Sequence, residues 1–238
     1  MNIIAIDPST TCTGICINGT KMVAVTQEEL ALNKKGGFVK WFDLVSGNCE
    51  IETYDSYEKK DNFTDTEVGK LQYYQTIANI VTSVIEQNCK PSNTIVCIEG
   101  FSYSSKAGNL IDLVTFSTLI RSYLINHGYT LVVIPPMSLK QGTAKLVYQK
   151  VDVKNQNRDP NLKPLKPKFM YLNSDGVPGG SFKKHEMLGA IKDSSFNDGW
   201  KKFIDEHYSD INEMKSIPAP IADLNDAYLL YQCVKHDK

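Results

Sequence analysis

Apolar positions along the chain follow two rhythms. Near the start, Ile3, Ile4, Ala5 and Ile6 form an unbroken run closed by a carboxylate, Asp7. A short run of this kind bounded by turn residues predicts a buried strand over residues 2–7. Gly14 to Asn18 predicts a second strand, Asn18-Gly19 a two-residue hairpin turn, and Lys21 to Thr26 the returning strand. Phe38 to Tyr57 has weaker strand character, with Gly47-Asn48 as a second hairpin turn inside it. From Thr64 to Gln87 the period changes. Leu71, Tyr74, Ile77, Ala78, Val81, Val84 and Ile85 recur at three and four residues, which predicts one amphipathic helix. Thr64 is its expected N-cap, Glu67 the capping-box partner, and Pro91 its stop. Thr94 to Glu99 predicts a further buried strand, Asn109 to Asn126 a helix ended by Gly128, and Leu131 to Ile134 a third core strand. Residues 151–181 lose periodicity and carry Pro160, Pro164, Pro167, Pro178 and Gly179-Gly180, the pattern of a long loop or inserted arm. Helical character returns around Phe182–Lys192, Phe196–His207 and Ile221–Val234. Antiparallel strands followed by strands alternating with helices predict one α/β domain over residues 1–238, built on a mixed sheet.

The chemistry gathers at the ends of these elements. Side chains alternate along a strand, so Ile3, Ala5 and Asp7 share one face, as do Ile95, Cys97 and Glu99. If the two strands are parallel neighbours, Asp7 and Glu99 lie side by side at the end of the sheet where α/β folds bind ligands. In the last helical segment Asp223 and Asp226 are spaced i, i+3, which places them on one helix face. Pro218 and Pro220 give that helix a clean start, and its expected first turn carries the carboxylates. Taken singly, each motif has an ordinary reading: a turn-forming Asp, or a solvated Asp-x-x-Asp face. Taken together they are more specific. Two carboxylates at ~4 Å and an effective dielectric of ~20 repel by about 4 kcal/mol, so such a cluster either protonates or binds cations. Oxygen ligands without Cys or His select Mg²⁺ or Mn²⁺. Two such ions are the arrangement for in-line displacement at a phosphodiester.

Composition narrows the picture. The chain has 238 residues, of which 42% are hydrophobic and 22% charged, the proportions of an ordinary globular protein. The net charge of −1 means that any nucleic-acid binding rests on a local patch. Such a patch is present: from Lys140 to Lys184 ten basic residues face three acidic ones, a local net of +7. A solvated loop is its plain reading; a DNA-contacting arm is the functional one. Six cysteines without a C-x-x-C pair, several inside apolar runs, are expected to be reduced thiols in the cytoplasm or another reducing compartment. No apolar run approaches the roughly 20 residues of a membrane span.

IIAIDPSTTCTG, IVCIEG, PPMSLKQG, SFKKHEML and DLNDAYLL, in that order, resemble the motifs of the RuvC-type Holliday-junction resolvases, members of the RNase H-like superfamily. The resemblance implies an RNase H-like α/β fold: antiparallel hairpin strands then parallel strands, flanked by helices, with a basic inserted loop. It implies a nuclease of DNA recombination and repair that cuts four-way junctions by paired nicks, acting as a homodimer. Asp7, Glu99, Asp223 and Asp226 would ligate two Mg²⁺ per site, with Mn²⁺ as substitute. Lys140, Lys183 or Lys184 would approach the scissile phosphate, with Lys145 also on the DNA side. Phe101 and Tyr103 would wedge or stack on junction bases. The helix at 109–126, with Leu110, Leu113, Val114 and Leu119, is read either as the dimer face or as a core helix. Two features depart from the compact bacterial pattern: the basic arm at about 143–181, and an elaborated, highly charged region at 28–70. Such elaborations resemble those of phage or large-virus enzymes.

Other readings stay open on the sequence. A broader debranching nuclease or an RNA-processing relative would use the same four carboxylates. IDPSTTCTG also resembles the first phosphate loop of actin-like ATPases, which need a second glycine-rich phosphate loop not found here. A non-catalytic DNA-binding relative would be expected to have lost a carboxylate.

Overall fold

A computed structural model describes residues 1–28, 38–101, 107–155, 158–173, 176–179 and 182–236. Strand β1 (Asn2–Asp7) lies at the centre of a six-stranded mixed sheet. It pairs antiparallel with β2 (Cys12–Ile17), which pairs antiparallel with β3 (Lys21–Gln27). The β2–β3 turn is closed by the Thr20 N–H donating to the Ile17 carbonyl, with Asn18 and Gly19 at φ 53° and 74°. On the other side β1 pairs parallel with β5 (Thr94–Glu99), and β5 with β6 (Thr130–Ile134). Strand β4 (Glu50–Tyr54) runs parallel to β3 at the far edge, giving the order β4-β3-β2-β1-β5-β6. The antiparallel-then-parallel sheet flanked by helices is the α/β arrangement expected of an RNase H-like fold.

The two faces of the sheet differ in side-chain size, and this difference sorts the helices. One face presents Ile4, Ile6, Ile15, Val23, Val25, Val96 and Ile98. Helix α2 (Phe63–Asn88) covers it with Tyr74, Ile77, Val81 and Ile85. Helix α3 (Ala107–Asn126) adds Phe116, Ile120 and Leu124. The opposite face presents small residues: Ala5, Cys12, Cys16, Ala24 and Cys97. Here pack α1 (Phe38–Ser46), α4 (Pro136–Val147), α5 (Lys184–Asp193), α6 (Gly199–Asn212) and α7 (Ala219–His236). The cysteines act as small core residues: burial pushes the Cys97 thiol up to about 11 and the Cys49 thiol up to about 12.

Helix α7 lies on this small-residue face at very short range. A Cβ on Gly14 would collide with the Asp223 carbonyl and come within 2.9 Å of the Leu224 nitrogen. The helix is held laterally as well. The Trp200 indole N–H donates to Asn225 Oδ1 at 2.9 Å, and the Tyr228 hydroxyl donates to Asp198 Oδ2 at 2.6 Å. Asp198 in turn caps α6 by accepting from the Lys201 N–H.

Several expectations are corrected. Residues 38–46 form a helix, not a strand: FVKWFDLVS is short and apolar, a pattern that fits either state. Gly47-Asn48 therefore ends that helix, with the Asn48 and Cys49 N–H groups donating to the Val45 carbonyl. The α2 cap is Asn62, which accepts from the Asp65 N–H, rather than Thr64. Leu71 lies off the buried stripe and is exposed. Strand β6 is an edge strand with Val132 and Val133 exposed, rather than a core strand. Within the inserted arm, β7 (Lys150–Asp152) and β8 (Phe169–Tyr171) pair antiparallel, so the arm has a ladder of its own. Helix α7 begins at Ala219, which moves Asp223 into the second turn.

The Gly14 contact gives a stability expectation. Gly14→Ala should destabilise the fold by about 1–3 kcal/mol, the usual range for overpacking. Gly108, whose Cβ would meet nothing within 4 Å, is the control, and Gly108→Ala should be neutral or slightly stabilising. Urea unfolding of both variants measures the difference; equal effects would contradict the close-approach account.

Candidate metal centre

The carboxylates arrive by three routes. Asp7 is the last residue of β1 and pairs with Gly14. After it the chain turns through Pro8, a turn tied by the Thr13 hydroxyl donating to the Ser9 carbonyl at 2.9 Å and by the Ser9 N–H donating back to Thr13 Oγ1. Glu99 is the last residue of β5; the register pairs Ile3 with Ile95 and Ala5 with Cys97, which brings Asp7 and Glu99 alongside on the same face. Asp223 and Asp226 come from α7, pressed onto β2 at Gly14. Carboxylate oxygens of Asp7, Glu99 and Asp226 all lie within 4.8 Å of one another. Asp223 borders the same cleft, which has a volume of about 520 Å³. A larger cavity of about 1190 Å³ lies beside α2 among Tyr54, Tyr57 and Tyr73, away from this convergence of charge.

Burial and mutual repulsion set the electrostatics. Asp7, Asp223 and Asp226 are buried and Glu99 is half-buried. Burial, then the Glu99 charge, pushes the Asp7 carboxyl well above the usual range. Burial, then the Asp7 charge, does the same for Asp223. Glu99 is raised mainly by burial, partly offset by a hydrogen bond from Asp7. The counter-charge is Lys184, whose ammonium contacts Asp226 Oδ2 and lies 3.7 Å from Asp223 Oδ1. Burial works against its charge, but Asp226, Asp7 and Asp223 outweigh it and hold its pKa above the ordinary lysine value. Lys184 is the first residue of α5, next to the cap Lys183. A cation at a helix N-terminus is unfavourable against the helix dipole, and here the carboxylates offset that cost.

The donor set fits a hard divalent cation. It is all oxygen, it carries more negative charge than Lys184 neutralises, and Asp226 Oδ1 is buried with no hydrogen-bond partner. Asp7, Glu99 and Asp226 could hold such an ion directly, with Asp223 at the same cleft.

The remaining residues singled out from the sequence divide. Lys140 and Lys183 line the carboxylate cleft with Lys184. Lys145 does not; it lines two neighbouring grooves. Phe101 is half-buried, with the Arg121 guanidinium 4.4 Å from its ring centre. Tyr103 lies outside the described residues. The helix at 107–126 buries Phe116, Ile120 and Leu124 as a core helix does, and leaves Ile111 and Ile125 exposed. Sequence reasoning missed Gly14, Arg121 and Trp200. Arg121 donates to the Glu99 carbonyl at 3.3 Å, so it supports the strand end that carries Glu99. Gly14 had a readable signal, a glycine inside a strand, which marks a close backbone approach. Arg121 and Trp200 had none, because their partners are distant in sequence. Among the described residues no helix is long and apolar enough to cross a membrane.

No family model matches the chain, and no curated protein matches it. Among solved structures it is similar to RuvC of Thermus thermophilus in complex with a Holliday junction substrate, at 10% identity and a TM-score of 0.46. A second structure of Thermus thermophilus RuvC is similar at 10% identity and a TM-score of 0.42. Each comparison covers 100% of this chain and 96% of the other. The likeness is one of fold.

Divalent ions should stabilise the folded protein if the cluster binds them. Addition of Mg²⁺ or Mn²⁺ at about 100 times the dissociation constant should add about 2.7 kcal/mol. Thermal unfolding with and without EDTA measures this as a rise in Tm. Asp226→Asn should abolish most of the rise, whereas a variant of an exposed carboxylate outside the cleft, Glu213→Gln, should keep it.

Proposed function

We propose that the protein is a divalent-metal-dependent endonuclease that resolves four-way DNA junctions by paired nicks. The observation that carries this reading is the convergence of Asp7, Glu99, Asp223 and Asp226 with Lys184 in one cleft, which Lys140 and Lys183 also line. The four carboxylates would hold two Mg²⁺, which Mn²⁺ could replace; bound there, the ions supply Lewis acidity for in-line displacement of a phosphodiester by water.

The protein's own groups bind and orient the strand. Asp7 and Glu99 are fixed by sheet hydrogen bonding, and Asp223 and Asp226 by the packed helix α7, so the ligand set is rigid before substrate arrives. Lys184 is placed to meet a non-bridging phosphate oxygen and offset its charge. Lys140 and Lys183, at the same cleft, are placed to meet neighbouring phosphates. No side-chain nucleophile is needed. The net +7 between Lys140 and Lys184 provides backbone contacts, which give affinity without reading bases. Junction selectivity then comes from branched shape rather than from sequence, with Phe101 on the DNA side. Paired nicks require two sites, so the active form is a homodimer.

The resemblance of motif order seen in the sequence supports the same reading. It is also consistent with the RuvC structures to which the fold is similar, one of which holds a Holliday junction.

The test is cleavage of a labelled four-way junction, a matched linear duplex and a fork. Mg²⁺-dependent symmetric nicks in the junction are expected, with none in EDTA. Asp7→Asn should lower the rate by more than about 100-fold, since even the outer partners of metal ligands are worth roughly 10–100-fold. Equal cutting of forks and junctions would show a general debranching nuclease instead. No cleavage of any DNA by folded protein would overturn the proposal.

A further inference from the structure

A second groove, of about 540 Å³, lies between α4 and the β7–β8 ladder of the inserted arm. Its walls include Met137, Lys140 and Lys145 from α4, Phe169 and Tyr171 from β8, and Phe182. Lys140 and Phe182 also line the carboxylate cleft, so the two cavities adjoin across these side chains. Phe182 is buried at a φ of 46°, a left-handed backbone that a non-glycine residue adopts at an energetic cost and that tends to occur at functional sites. The wall between groove and cleft is therefore held in place against strain.

Phe169 has the opposite character. It is 58% exposed on a three-residue strand, with Lys150 Nζ 5.0 Å from its ring centre. An aromatic ring of this size left in water on a short strand adds nothing to the core. The nearby acid on the ladder, Asp152, is already engaged: its carboxylate accepts from the Lys154 and Lys168 N–H groups and from the Asn155 side chain. The groove thus combines an exposed aromatic ring, an apolar wall and the lysines of α4, with Lys150 of β7 beside the ring. That combination is the chemistry of single-strand binding, in which a base stacks on an aromatic ring and cations track the backbone. The continuity through Lys140 points the strand toward the carboxylates.

We propose that this groove holds an unstacked nucleotide of the DNA strand that runs into the carboxylate cleft, with its base against Phe169 and its phosphates met by Lys140, Lys145 and Lys150. The strand's destination rests on the nuclease reading; the groove's affinity for a single strand does not. The test is fluorescence anisotropy of a labelled single-stranded octathymidine in EDTA, with wild type, Phe169→Ala and Phe169→Trp. Stacking is sequence-tolerant and removing one platform is costly, so Phe169→Ala should weaken binding about tenfold, while Phe169→Trp should stay within about twofold. With Mg²⁺ and a four-way junction, Phe169→Ala should raise KM and leave kcat unchanged. Equal oligonucleotide affinity of wild type and Phe169→Ala would overturn the proposal, as would no binding by wild type. Phe169-dependent binding by a protein that cuts no DNA would uphold the groove and overturn the nuclease reading alone.

Discussion

The architecture depends on one close approach, helix α7 lying on strand β2 across Gly14. A side chain larger than hydrogen at that position would strike the Asp223 carbonyl. Much of that sheet face is cut to the same requirement, with Ala5, Cys12, Cys16, Ala24 and Cys97 where the other face carries isoleucine and valine. Small residues let the helix sink, and a sunken helix brings Asp226 into the reach of carboxylates that belong to strand ends. The hydrogen bonds of Trp200 to Asn225 and of Tyr228 to Asp198 then set the rotation of the helix, so that the Asp-x-x-Asp face points at β1 and β5.

This arrangement costs stability. Burial raises the pKa values of Asp7, Glu99 and Asp223, which is the signature of a site that opposes its own ionisation. Lys184 relieves part of that repulsion from the first position of a helix, where a cation is locally unfavourable. Each local rule broken here, a buried carboxylate, an unpartnered Asp226 oxygen and a lysine at a helix start, is broken toward the same cleft. Conflicts between local preference and global fold gather at functional sites for this reason.

Much of this was legible in the chain. Period-two alternation placed Asp7 and Glu99 on one face, and the parallel register Ala5 to Cys97 bears that out. The i, i+3 spacing of Asp223 and Asp226 survived, although the helix starts earlier than its prolines suggested. What was not legible depended on partners distant in sequence. FVKWFDLVS could not be assigned from periodicity, because a nine-residue apolar stretch fits a helix or a strand until its neighbours are known. The exposure of β6 follows from its place at the sheet edge, which composition does not encode. Among several lysines near the predicted basic region, Lys184 is the one paired with Asp226, and only the packing of α5 beside α7 selects it. The ladder in the arm was hidden by prolines between its strands.

Function on this reading requires that the strand-end and helix carboxylates form one metal centre. The most direct measurement is anomalous diffraction from crystals of the protein soaked in Mn²⁺. Peaks inside the cleft, bound by Asp7, Glu99, Asp223 and Asp226 and absent from Asp7→Asn crystals, are the expected result. An empty cleft at saturating Mn²⁺, or peaks confined to exposed carboxylates elsewhere, would contradict the account.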